Sequence, residues 1–150
     1  MPMREILELQ TGQVAFISGL MSGFSLSIAA HVLRYGIRSG TAQLVFILFL
    51  LSSLLFLVAL YVDVRLSIEL AGFDTLPQSL LDKVVLVRTI GTSCATSALF
   101  LFVVATGLLG WLATPATGIV SSLIAAASLT TLWFIWQNIN ALSEALGKLP

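Results

Sequence analysis

The stretch Gly12-Gln-Val-Ala-Phe16-Ile-Ser-Gly-Leu20-Met-Ser-Gly-Phe24-Ser-Leu-Ser-Ile28-Ala-Ala-His-Val32-Leu-Arg-Tyr-Gly36 decides how the chain is read. From Val14 to Leu33 it runs for 20 residues with no Asp, Glu, Lys or Arg. At about 1.5 Å of rise per residue that length crosses a hydrocarbon core of about 30 Å, so a transmembrane helix is expected. Its composition differs from that of a helix that only has to dissolve in lipid, because Ser18, Gly19, Ser22, Gly23, Ser25, Ser27, Ala29 and Ala30 are all small. Small side chains let helix backbones approach closely, and Gly19-x-x-x-Gly23 is the simplest form of that device. Ser18, Ser22, Ser25 and Ala29 recur on one face, while Phe16, Leu20, Gly23, Ser27 and His31 recur on a face roughly opposite. Gly19, Ser22 and Ser18 are read as helix-packing positions. A helix with two such faces is most easily satisfied at the centre of an assembly, and the plainer alternative is a tightly packed helix in a monomeric bundle.

Composition bounds the class. With 58% hydrophobic residues, 9% charged residues and a mean hydropathy of +1.05, the chain is expected to be an integral membrane protein rather than a soluble domain. The net charge is zero, and there is neither a basic run nor an acidic tail, so nucleic acid is not an expected partner and nothing indicates strong attraction to anionic lipid. The single cysteine, Cys94, excludes an internal disulfide and is read as a small packing residue. Because the sequence opens on Met1, the first apolar segment is read as a span and not as a removed signal peptide.

Residues 1 to 11 form an amphipathic lead-in, with Pro2 and Glu5 suited to a helix start. The first span, 14–33, ends in Tyr35-Gly36-Ile37-Arg38-Ser39-Gly40, too short to do other than fold the next helix back beside it. The second span, 42–62, is Leu-, Phe-, Val- and Ile-rich apart from Ser52 and Ser53, the pattern of a helix facing lipid. It is expected to continue past the bilayer through Asp63, Arg65 and Glu69 before a turn at Gly72–Pro77. A third helix from near Ser79 is expected to be embedded over 89–112. The hydroxyls of its first half (Thr89, Thr92, Ser93, Thr96, Ser97) should face protein, bonding across helices or back to their own carbonyls. The fourth span, 118–136, carries its own small patch at Ser121, Ser122, Ala125–Ala127 and Ser128. The expected fold is all-α, one antiparallel bundle of four transmembrane helices, assembled into a symmetric homo-oligomer.

With both termini in the cytoplasm, that side holds Arg4, Arg65, Lys83, Arg88 and Lys148, against Arg34 and Arg38 outside, and this bias predicts cytoplasmic termini. Tyr35 and Trp111 fall at one interface and Tyr61, Trp133 and Trp136 at the other.

The chain carries no metal-spaced His/Cys/carboxylate cluster, no nucleophile motif and no phosphate-cradling loop, so neither an enzyme nor a cofactor is expected. No acidic residue lies deep in a span, which argues against a proton-coupled exporter. The polar residues at a membrane boundary are His31, Arg34 and Arg38. A histidine one turn from a helix end can simply reach the interface with its polar edge. Repeated around an axis, however, His31 would form a ring at the outer mouth of a pore. Arg88 is read as snorkelling to the inner interface, and Glu5 and Glu8 as a solvated helix start.

Ser22-Gly23-Phe24 in the first span, Ile90-Gly91-Thr92 in the third and its Leu108-Leu109-Gly110-Trp111 end, together with the four-span plan, resemble the Orai calcium-channel family. The resemblance implies an oligomer whose first helix lines a pore and whose termini are cytoplasmic. In the family pattern the selectivity glutamate stands seven residues after the Phe of this triplet, and here that position is His31; the basic inner section of the family's first helix is replaced by Gly12 and Phe16. On that plan Phe16 and Leu20 form the apolar constriction, Gly23 the close-approach point, Ser27 a polar lining residue and His31 the outer ring, with Arg34 and Arg38 at the mouth. A histidine and arginine mouth repels divalent cations, so the expected pore is non-selective or anion-permeable and not calcium-selective. The expected partners are the lipid bilayer, further copies of the chain, permeant ions and a separate regulatory protein. Two other classes fit the same residues. One is a non-conducting subunit or scaffold that binds partner helices; the other is a small-molecule carrier with a cavity lined by Ser93, Thr96 and Ser97.

Overall fold

A computed structural model describes residues 3–37, 39–71 and 78–146, with side chains described for 13–37, 39–69 and 83–139. The described chain is helical: α1 (Met3–Tyr35), α2 (Gly40–Ala71), α3 (Gln78–Leu109), a short 3-10 turn (Gly110–Leu112) and α4 (Pro115–Leu146). Each of the four contains a stretch long and apolar enough to cross a membrane: Gln13–Tyr35, Gly40–Glu69, Lys83–Leu112 and Pro115–Ile139. This fits a multi-pass membrane protein. The α-helices run to 32 or 33 residues, about 50 Å each, so they outreach a hydrocarbon core of about 30 Å and project beyond it. The Gly72–Pro77 turn and the Arg38 position lie outside the described residues, as do the side chains of Glu5 and Glu8.

Local chemistry sets the helix ends. Gly36 sits at φ +87, a left-handed conformation that costs glycine nothing, and its amide donates to the Leu33 carbonyl at 3.1 Å to close α1. Ser39 then caps α2 by accepting the Ala42 amide on its hydroxyl at 3.1 Å. Thr114 opens α4 in the same way: its hydroxyl accepts the Thr117 amide, while its own amide donates to the Thr117 hydroxyl at 3.0 Å, and Pro115 occupies the first helical position.

The chain divides into two compact units, Met1–Phe102 and Val103–Pro150. In the first, α1 packs along α2 and α3 packs on α2. The buried residues of α2 (Ala42, Val45, Phe49, Ser52, Ser53, Phe56, Ala59) recur at helical spacing, opposite an exposed row of Leu44, Ile47, Leu51, Leu54, Val58 and Tyr61. Residues 42–62 have the pattern of a helix facing lipid, but one face of them is buried against protein. One face carries the lipid-like row and the other forms the centre of this unit, because Ser52 and Ser53 find polar partners there. Phe49 meets Phe102 edge to face at 5.6 Å, and Gly91 of α3 sits so close to Val62 that any side chain at 91 would collide with it.

The second unit is built on a glycine corner. Gly107 and Gly110 lie against Ser121, Ala125 and the Thr117 carbonyl of α4, and Gly118 lies under the Trp111 ring. The Ser121 hydroxyl donates to the Gly107 carbonyl at 2.7 Å, the Thr117 hydroxyl to the Gly110 carbonyl at 2.8 Å, and the Trp111 indole to the Ser122 hydroxyl at 3.0 Å.

Candidate functional site

The two faces of α1 take different roles. Ser18, Ser22, Ser25, Ala29 and Val32 are buried, and they form the seam with α2. Gly19 lies 3.6 Å, measured from the position of an added Cβ, from the Leu60 side chain. At the centre of the seam the Ser22 hydroxyl donates to the Ser53 carbonyl and the Ser53 hydroxyl to the Ser22 carbonyl, each at 3.1 Å. The two side-chain oxygens are also 3.1 Å apart. In an apolar medium the reciprocal pair satisfies both hydroxyls and fixes the register of the two helices. On the other side of α2 the Ser52 hydroxyl donates to the Ala98 carbonyl of α3 at 2.8 Å.

Ser25, one turn beyond Ser22, is fully buried and its hydroxyl has no hydrogen-bond partner. The contrast is testable. Ser22→Ala removes the hydroxyl that donates to the Ser53 carbonyl and should destabilise the protein by about 1 kcal/mol, while the Ser53 hydroxyl keeps its bond to the Ser22 backbone carbonyl. Ser25→Ala removes only an unsatisfied group and should be neutral or stabilising. Equilibrium unfolding in mixed micelles reads both, and equal losses at the two sites would refute the assignment.

The opposite face, Phe16, Leu20, Gly23, Ser27 and His31, is exposed along its length, with Phe16 at 69% of its full accessibility. Arg34 continues this exposed row. Nothing lies within 4 Å of a Cβ built on Gly23, so of the Gly19-x-x-x-Gly23 pair only Gly19 is used against α2. The His31 imidazole meets the Tyr35 ring edge to face at 4.9 Å. Arg38, the second expected mouth residue, lies outside the described residues.

Elsewhere, the hydroxyl-rich start of α3 is mostly exposed, and Thr89, Thr92 and Thr96 donate back to the carbonyls of Val85, Arg88 and Thr92 at 2.8–2.9 Å. The sequence expectation that these hydroxyls face protein is not met within the protomer, where Thr89, Thr92, Ser93 and Ser97 are exposed and the threonines bond back to their own helix. A shallow groove of about 290 Å³ runs along this face, lined by Val85, Arg88, Thr89, Thr92 and Ser93. It shares only Ser93 with the cavity expected of a carrier. Cys94 is half-buried. Among the described residues no three of His, Cys, Asp and Glu come together to hold a metal ion. Sequence reasoning overlooked Ser53 as the partner of Ser22, although two adjacent serines in an otherwise apolar helix were the available signal. No family model, curated protein or solved structure matches the chain.

Proposed function

We propose that the chain assembles into a symmetric homo-oligomer of antiparallel four-helix protomers, both termini cytoplasmic, in which α1 lines a central pore. Phe16 and Leu20 form its apolar constriction, Gly23 its close-approach point, Ser27 part of its polar lining, and His31 with Arg34 and Arg38 its outer mouth. The pore is non-selective or anion-permeable. The observation that carries this reading is the division of α1: its serine face is used up against α2 inside one protomer, while the face bearing Ser27, His31 and Arg34 is left without a cover. His31 and Arg34 lie near the C-terminal end of α1, and copies of this face turned toward a shared aqueous axis would gather them at its mouth. No Asp or Glu occurs from Gln13 to Tyr35, so the fixed charge along the described row is positive.

The deciding experiment is the oligomeric state and symmetry of the purified protein, with the helix nearest the axis identified by cross-linking of single cysteines in a Cys94→Ala background. A ring with residues 12–36 innermost is expected. A monomer or dimer with α1 inside one bundle overturns the pore, and a ring with partner helices seated on the Phe16–His31 row favours the scaffold reading. Gly23→Ala offers a further check. Its Cβ meets nothing within the protomer, so the protomer should keep or gain up to about 1 kcal/mol of stability while conductance falls. Unchanged conductance would remove Gly23 from the lining.

A further inference from the structure

We propose that Arg88 and Ser93, on the exposed face of α3, hold the phosphodiester headgroup of an anionic phospholipid. The inference does not depend on the pore reading. On one side α3 is fastened to α2 through Gly91 against Val62, Ala98 against Ser52, and Phe102 against Phe49. Val85, Arg88, Thr89, Thr92 and Ser93 recur at helical spacing on an exposed face and line the 290 Å³ groove.

The groove is chemically two-sided. Arg88 brings a planar guanidinium whose paired N–H groups match two phosphate oxygens, a geometry that an ammonium does not offer. The Thr89 and Thr92 hydroxyls have committed their protons to the helix carbonyls, which leaves Arg88 and the exposed Ser93 as the groove's donors toward an anion. Beside these polar groups Val85, Leu86 and Ile90 present exposed apolar surface. Arg88 stands five residues past Lys83, about 7.5 Å along the helix and across the apolar run Val84–Val87. A cation at that depth, with an apolar bed alongside, suits a headgroup with attached acyl chains better than a free phosphate. Among the described residues the opposing charge is Asp63 of α2, whose carboxylate lies near Gly91 and attracts Arg88. One carboxylate offsets part of the guanidinium charge and competes with the phosphate. The chain's zero net charge is no objection, since a single built site needs no bulk attraction.

The test uses the full-length protein in neutral detergent, with thermal unfolding followed on adding short-chain phosphatidylglycerol, phosphatidylcholine or inorganic phosphate. Phosphatidylglycerol should raise the midpoint by several degrees more than phosphatidylcholine, and inorganic phosphate should not reproduce the effect. Arg88→Gln should abolish the difference between the lipids and Asp63→Asn should enlarge it. Native mass spectrometry of the unaltered protein with both lipids at equal concentration gives a reading that needs no variant, and the first bound lipid should be phosphatidylglycerol by at least about fivefold. Equal binding of the two lipids, a difference that survives Arg88→Gln, or an equal shift with inorganic phosphate, which would assign the groove to a soluble anion, each overturns the proposal.

Discussion

Replacing His31 and Arg34 together by glutamate is expected to invert the ion preference of the reconstituted protein, turning an anion-favouring or indifferent pore into a cation-favouring one. Both side chains are exposed on the uncovered row of α1, and no described carboxylate on that helix offsets them. A unit charge about 8 Å from a passing ion contributes about 0.5 kcal/mol if water dominates the screening and about 2 kcal/mol at an effective dielectric near 20. Changing its sign counts twice, and every subunit repeats the change. Since 1.36 kcal/mol is a factor of ten, the anion-to-cation permeability ratio should move by at least about tenfold. Reversal potentials in a salt gradient measure it directly. The effect should weaken at high ionic strength, where the Debye length falls to about 3 Å at 1 M salt. Ion currents with an unaltered reversal potential would place His31 and Arg34 away from the conduction path.

The largest loss of stability is expected at the glycine corner. A leucine at 118 would have to occupy the space of the Trp111 ring, and even an alanine at 110 would run into the Ser121 hydroxyl and the Thr117 carbonyl. Overpacking typically costs about 1–3 kcal/mol where neighbours can give way. Here the obstacle at Gly110 includes backbone, and relief requires breaking the Ser121–Gly107 and Thr117–Gly110 hydrogen bonds as well. Gly110→Ala should therefore cost more than about 3 kcal/mol, and Gly118→Leu should prevent folded protein from accumulating, as judged by monodispersity in detergent. Gly40→Ala, with nothing within 4 Å of the added methyl, is the matched control and should behave like the parent. Normal stability of Gly110→Ala would show that the corner opens without cost.

The four helices were legible because each contains a run of about 20 residues almost free of charge, a signal of hydrophobic length that needs no knowledge of neighbours. The C-terminal end of α1 was legible from Gly36, whose backbone preference acts locally, whereas residues 113–118 read as a link although α4 already starts at Pro115. The partner of each face was not. Small residues serve equally to admit another backbone or to line a polar path, so the sequence separated the Ser18-Ser22-Ser25 face from the Gly23-Ser27-His31 face but did not name the neighbour of either, and Ser53 and Leu60 are what the first one meets. The same ambiguity hid the inner face of α2, since Phe49 and Phe56 suit a core as well as lipid. The corner at Gly107, Gly110 and Gly118 was hidden for another reason. Its meaning depends on contacts between helices, and a glycine in a membrane helix is common enough to pass without remark.

The reciprocal bond between Ser22 and Ser53 has a mechanical side. Two hydroxyls that each hold the other helix's backbone act as a shear pin, and with Leu60 seated against Gly19 they lock α1 and α2 into a single beam. Such a beam tilts or bends as one piece. The residues of α2 that extend past the apolar run, Arg65 and Glu69 among them, thus belong to the same piece as the uncovered row of α1.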